Sequence, residues 1–245
     1  MSVLFKGGTL VNATGRYVAD VFADGDKIKT IGTDLDNPAD EVLDAKGQYI
    51  LPGAIDPHTH LCMPFMGTYA QDDYETGTIA AACGGVTCVV DFDLQQKGET
   101  LLEAIERKKA LAEGKVAVDY SLHPAVMDPR PEVIEEVKKA CRDYGTPSFK
   151  IFMVYDFRVD DATMIKLLEQ TKEHGGLVQV HAENVHVIDH MNAVLAKEGK
   201  LDPYYHAVSR PNLAEEEAIY RATKMVEMSC LLYTSPSPRD RHLDL

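Results

Sequence analysis

The chain has 245 residues, 45% of them hydrophobic, with 39 acidic against 25 basic side chains and a net charge of -14. That is enough apolar material for one large barrel or two smaller domains, and the acidic balance argues against nucleic acid or an anionic membrane surface as partner. No apolar stretch reaches the roughly 18 residues of a membrane span, and the amino terminus lacks the apolar run of a signal peptide. Cys62, Cys83, Cys88, Cys141 and Cys230 are odd in number and contain no C-x-x-C pair. They read as reduced thiols, mostly small buried apolar residues, in a cytoplasmic protein.

Residues 1–50 predict short strands at Leu4–Lys6, Thr9–Val11, Tyr17–Phe22 and Lys27–Ile31. Gly7-Gly8 is expected to break the first two apart, and Asp24-Gly25-Asp26 to turn a hairpin. This is part of a small β-sandwich, with too few strands to close its own core.

From Gln48 the pattern alternates between strand and helix. Strands are expected near Tyr49–Ile55, Val86–Phe92, Ala117–Leu122, Ser148–Val154 and Leu177–Val180. Helices are expected near Gln71–Cys83, Thr100–Glu113, Glu132–Tyr144, Ala162–His174, Val185–Glu198 and Ala214–Met228. Each unit is about 30 residues long, as a parallel crossover requires. Either a (β/α)₈ barrel or a doubly wound sheet fits that alternation. The polar residues at strand ends favour the barrel, whose carboxyl rim gathers a loop from every strand. His58 and His60 follow the first of these strands, Asp91 and Asp93 lie at the end of the second, and His123 follows the third. Lys150 lies in the fourth with Tyr155 just beyond it, and His181 and Glu183 end the fifth.

The strand Tyr49–Ile55 reads as buried, with Pro57 pinning the backbone before His58-Thr59-His60. Residues i and i+2 of an extended chain share a face, so two imidazoles there can share one divalent cation such as zinc. A bare His-x-His is more often a pair of solvated loop histidines. The lysine and histidine at later strand ends raise the metal reading. Lys150 sits among Phe149, Ile151, Phe152 and Met153, where a lysine must be paired or chemically altered. His174, His186, His190 and His206 read as solvated, and Asp91, Asp93 and His123 as rim or supporting residues.

These residues resemble the hydantoinase/dihydropyrimidinase branch of the amidohydrolase superfamily over roughly residues 3–230. The resemblance rests on Gly53-Ala-Ile-Asp-Pro-His-Thr-His-Leu61, Met63-Pro-Phe65, Thr76-Gly-Thr78, Gly84-Gly-Val-Thr87, Ser148-Phe-Lys-Ile-Phe-Met-Val-Tyr155, His181-Ala-Glu-Asn184 and Ser209-Arg-Pro211. It implies a β-sandwich beside a (β/α)₈ TIM-type barrel carrying two divalent metal ions, usually zinc. It implies that His58, His60, Lys150 and His181 are the metal ligands, with Lys150 converted by CO₂ to a bridging carbamate. It also implies that Tyr155 stabilises an oxyanion and that Met63 and Phe65 line the substrate pocket. The implied reaction is ring opening of a dihydropyrimidine or 5-substituted hydantoin to an N-carbamoyl amino acid, by a homotetramer.

The family pattern is incomplete here. It expects a further histidine shortly after Tyr233 and an aspartate at the end of the eighth strand. The chain offers Thr234-Ser235-Pro236 and only His242 beyond. A sixth strand is expected to begin at Cys230–Tyr233 and to stop at the prolines. The expected organisation is therefore 1–50 as part of the sandwich, 51–229 as the first part of the barrel, and 230–245 as a disordered tail foreign to the family. Such a fragment is expected to be inactive by itself and to leave an apolar strand edge unpaired. Alternatives are an allantoinase, a dihydroorotase-like enzyme, or a non-enzymatic dihydropyrimidinase-like scaffold. Cys62 stands where dihydroorotases usually place an arginine, and the four ligand positions are filled where scaffolds typically lack them.

Overall fold

The structure is a computed structural model that describes residues 1–65 and 67–229. The expected sixth strand, the tail and His242 lie outside the described residues. The chain forms two compact units, Met1–Ala54 and the part from Ile55 onward.

In the first unit, β1 (Ser2–Asn12), β2 (Gly15–Asp24), β3 (Lys27–Gly32), β4 (Glu41–Asp44) and β5 (Tyr49–Ile50) form one sheet. Its order is β3-β2-β1-β4, and β5 also pairs with β1. The expected hairpin forms between β2 and β3, with Gly25 at φ +62°. Gly7-Gly8 does not break β1 but shifts its register against β2 between Phe5 and Gly8. Gly7 takes φ +69°, where a side chain is disfavoured, and its N–H donates to Asp20 at 2.6 Å. Leu10, Ala19 and Val21 form a small core, while Val18, Ile28 and Val42 are more than half exposed.

The expected single strand Tyr49–Ile55 is instead two. Tyr49 and Ile50 pair with Thr9 and Leu10 of β1, and β6 (Ala54–Thr59) starts afresh after Leu51-Pro52-Gly53. Pro52 has no N–H to continue a ladder. Nor is the stretch buried: Leu51 and Ile55 are each 63% exposed. Among the described strands β6 is at the sheet edge, with only β9 beside it.

In the second unit, a short antiparallel pair, β7 (Pro64–Phe65) and β8 (Thr68–Tyr69), follows β6. Then come α1 (Tyr74–Cys83), β9 (Val86–Leu94), α2 (Leu101–Ala112) and β10 (Asp119–Ala125). Next are α3 (Pro131–Glu135), α4 (Val137–Asp143), β11 (Ser148–Phe152), α5 (Asp161–His174) and β12 (Leu177–His181). The described chain closes with α6 (Val185–Lys197), α7 (Tyr204–Val208) and α8 (Asn212–Met228). The expected helix Glu132–Tyr144 is divided at Glu136, whose carboxylate accepts from the Leu102 N–H in the first turn of α2. The helix α7 arises in a stretch for which the sequence predicts no element. Helix starts follow local chemistry. Asp73 and Asp160 cap α1 and α5, and Thr100 forms a reciprocal capping box with Glu103 at α2.

The five-stranded sheet has the order β12-β11-β10-β9-β6, with β9 to β12 parallel. Spatial order follows chain order without a reversal. A doubly wound sheet would reverse direction at a switch point, so this is the first part of a (β/α)₈ barrel. The strand period of two then sorts side chains. Phe149 and Ile151 of β11 are fully buried with Met164, Leu167 and Leu168 of α5 and Ala218 of α8. Lys150 and Phe152 turn to the opposite face, where the pocket lies. No helix among the described residues is long and apolar enough to cross a membrane.

Candidate active site

A pocket of about 190 Å³ opens on that inner face of the second unit. His58, His60, Lys150, His181 and Tyr155, singled out from sequence, all line it, as do Met63 and Phe65. Its remaining walls are Phe92, Leu94 and Phe152. Strand alternation places Phe92 and Leu94 inward once β9 is known to face a cavity. Sequence alone left that face undetermined.

Phe92 and Phe152 organise the cluster. The rings of His58 and His60 lie 5.1 Å apart and both rest on Phe92, at 4.5 and 5.1 Å between centroids. The Lys150 nitrogen sits 5.5 Å from the Phe92 ring centre and 5.3 Å from that of Phe152. His181 stacks on Phe152 at 5.9 Å. Lys150 is thus flanked by the histidine pair through one aromatic ring and by His181 through the other.

Lys150 is 9% exposed and has no carboxylate or hydrogen-bond acceptor among the described residues. Two π faces compensate a buried ammonium only in part. Burial accordingly pushes its pKa below the usual lysine value. His58 and His60 are both exposed on the open side of the pocket, and the partial burial of their rings is the largest cause lowering both imidazoles. Lys150 adds to this at His58, and His58 adds to it at His60. All three groups are therefore biased toward neutral forms that carry a free lone pair.

Tyr155 stands at φ +75°, an uncommon conformation for a bulky side chain. Its carbonyl is held by the Arg158 side chain at 2.9 Å, and its ring packs against Phe65, Phe157 and His181. Burial, then Glu183, raises its hydroxyl pKa, so the phenol keeps its proton.

Around the pocket lies a set of buried polar contacts. Asp91 faces away from the cavity, fully buried, and accepts from Leu61 N–H at 2.9 Å, Tyr74 hydroxyl at 2.9 Å and Thr59 hydroxyl at 3.1 Å. Lys108 of α2 pairs with it at 2.9 Å and also donates to the Leu61 carbonyl. The residues flanking His60 are tied down by this knot. Lys108 was not singled out from sequence. The signal was there: it falls on the apolar stripe of α2 with Leu101, Ala104, Ile105 and Ala112. His123 Nε2 donates to the Pro57 carbonyl at 3.0 Å, next to His58, while Nδ1 meets Ser148 and Gln179. Asp93 pairs with Arg107 at 3.1 Å, and its other oxygen is buried without a hydrogen-bond partner among the described residues. His174, expected to be solvated, is partly buried, and its Nδ1 has no hydrogen-bond partner among the described residues. His186, His190 and His206 are exposed.

No group of three or more His, Cys, Asp or Glu side chains among the described residues is arranged to hold a metal ion. A metal centre in this pocket would need the lysine as a donor. The donor chemistry fits one: two adjacent imidazoles, a third beyond Phe152, and between them a buried amine that lacks a counter-ion among the described residues.

With this architecture and this cluster of nitrogen donors, the chain belongs to the amidohydrolase family, whose model matches residues 49–231. It is 47% identical over 231 residues to a D-hydantoinase from Geobacillus stearothermophilus, covering 94% of this chain and 49% of that protein. It is 41% identical to a dihydropyrimidinase from Rattus norvegicus, covering 94% and 46%. The crystal structure of a dihydropyrimidinase from Brevibacillus agri NCHU1002 superposes with a TM-score of 0.91 at 46% identity, covering 94% of this chain and 50% of that one. The chain spans about half the length of the curated relatives it matches.

Proposed function

We propose that this chain carries one part of the active site of a cyclic amidohydrolase that opens a dihydropyrimidine or 5-substituted hydantoin ring to an N-carbamoyl amino acid. The observation that carries the reading is Lys150: a buried amine without an anionic partner among the described residues, in one pocket with His58, His60 and His181. The relatives named D-hydantoinase and dihydropyrimidinase give the substrate class.

In this reading His58, His60, Lys150 and His181 would hold two divalent cations, zinc by family resemblance. Cations held there would supply Lewis acidity, toward a bound water and toward the substrate carbonyl. In its unprotonated form, toward which burial biases it, the Lys150 nitrogen would add its lone pair to the carbon of CO₂ and release a proton. The resulting carbamate is an anionic oxygen donor, which the ammonium is not. The Tyr155 hydroxyl, kept protonated by burial, donates a hydrogen bond to the oxyanion that develops on the attacked carbonyl. Met63, Phe65, Phe92 and Leu94 supply an apolar seat for a ring and its substituent. The described lining contains no arginine, which favours a neutral ring over a carboxylate-bearing one.

Lys150→Ala tests the assignment. Zinc-loaded chain incubated with ¹³C-bicarbonate should show a carbamate resonance that the variant lacks, together with loss of tight metal uptake. Equal metal content in Lys150→Ala and the parent chain would refute it.

A further inference from the structure

We infer that Glu183, itself held by Arg210, is a positioning residue that decides which nitrogen of His181 is left for a ligand. The inference rests on the metal reading of the pocket and extends it to the orientation of one donor. The backbone of His181 is fixed by the sheet, since its carbonyl accepts from Met153 N–H at 2.9 Å. That anchors the Cα and leaves the ring free to turn. The ring is held separately. His181 Nε2 lies 2.8 Å from Glu183 Oε2, and a carboxylate has no proton to give, so Nε2 carries the proton and donates. Nδ1 makes no hydrogen bond among the described residues. It is therefore the ring nitrogen that no described residue engages, on a side chain that lines the cavity.

Glu183 is held in turn. Its second oxygen lies 3.4 Å from Arg210 Nε, and the two side chains are only 15% and 22% exposed. The loop that bears it is clamped from α8: Asn184 N–H donates to the Ala214 carbonyl at 3.0 Å, and Asn184 Nδ2 to Glu217 at 2.7 Å. Arg210 comes from the loop that leads into α8. A histidine whose second nitrogen donates to a carboxylate is fixed in tautomer and orientation and is a more basic ligand. Stacking on Phe152 limits the tilt of the ring but does not choose between its two nitrogens, and the carboxylate does.

Two readouts on the 245-residue chain test this. In the metal-free chain, ¹⁵N-histidine labelling should reveal a protected, downfield Nε2–H signal from His181. Glu183→Ala should lose it, and Glu183→Gln, which keeps an acceptor oxygen, should retain it. The same proteins are then titrated with Co²⁺ alone and followed by visible absorption. Glu183→Ala should bind on the order of 10- to 100-fold more weakly, with Glu183→Gln recovering most of the loss. Arg210→Lys should weaken both readouts by a smaller step, and it covers the case in which Glu183→Ala disturbs the loop. A retained Nε2–H signal in Glu183→Ala, or unchanged Co²⁺ affinity, overturns the inference. A parent chain that shows the Glu183-dependent signal yet takes up no Co²⁺ overturns the metal reading instead, and leaves the orientation of the ring by Glu183 standing.

Discussion

Replacing Lys108 by Met should destabilise the second unit far more than a helix-surface lysine would. The Lys108 side chain is 3% exposed and its partner Asp91 fully buried, 2.9 Å away. Methionine fills much of the same volume, so packing changes little. What changes is charge: Asp91 is left ionised and buried, with three neutral donors from Thr59, Leu61 and Tyr74. Breaking a buried pair from one side costs roughly 3–5 kcal/mol, and the three remaining donors favour the lower end. The Leu61 carbonyl also loses its donor, which adds about 1 kcal/mol. For a unit of this size, about 4 kcal/mol lowers Tm by roughly 8–16 °C. Thermal unfolding followed by far-ultraviolet circular dichroism measures it. The chain has no tryptophan, which makes fluorescence a poorer probe. The double variant Asp91→Asn/Lys108→Met should lose clearly less than the sum of the singles, because the stranded charge is gone. Hydrogen exchange should also quicken at Leu61, beside His60. A Lys108→Met variant within 1 kcal/mol of the parent chain, or strict additivity in the double, would refute the argument.

Burial pushes the Asp93 carboxyl from 3.8 up to about 7, against the pull of Arg107. An acid whose folded pKa exceeds its unfolded one stabilises the fold below the unfolded value and loses that contribution as pH rises toward the folded value. The parent chain should therefore lose stability relative to Asp93→Asn between about pH 4 and 7, by up to roughly 4 kcal/mol. A pH-independent difference between the two would contradict it. In a full-length enzyme carrying this site, Tyr155→Phe should lower kcat on the order of 100- to 1,000-fold with metal content unchanged, and an unaltered kcat would remove Tyr155 from the chemistry. Such an enzyme should also prefer dihydrouracil or a neutral hydantoin over dihydroorotate by on the order of a thousandfold in kcat/KM, as a buried carboxylate without a partner demands. Comparable values for both substrates would point to a cation in the pocket that the described lining lacks.

The sequence determined what is local. Alternating apolar segments of about 30 residues, ended by capping residues such as Asp73, Thr100 and Asp160, placed most helices and strands of the second unit. Polar residues inside or just after apolar strands marked Lys150, His58, His60 and His181, because a lysine among Phe149, Ile151 and Phe152 conflicts with its surroundings unless it has a purpose. Sequence period could not decide which strand neighbours which. Pairing energy comes from partners far along the chain. Tyr49–Ile50 therefore joined β1 while Ala54–Thr59 joined β9, although Tyr49–Ile55 read as one strand. The same limit hid Lys108 and left open what His123 and Arg210 would touch. Their roles rest on contacts with Asp91, Pro57 and Glu183, residues 17, 66 and 27 positions away. Such contacts exist only once the sheet is in order and the helices lie against it, so only the tertiary structure could assign them.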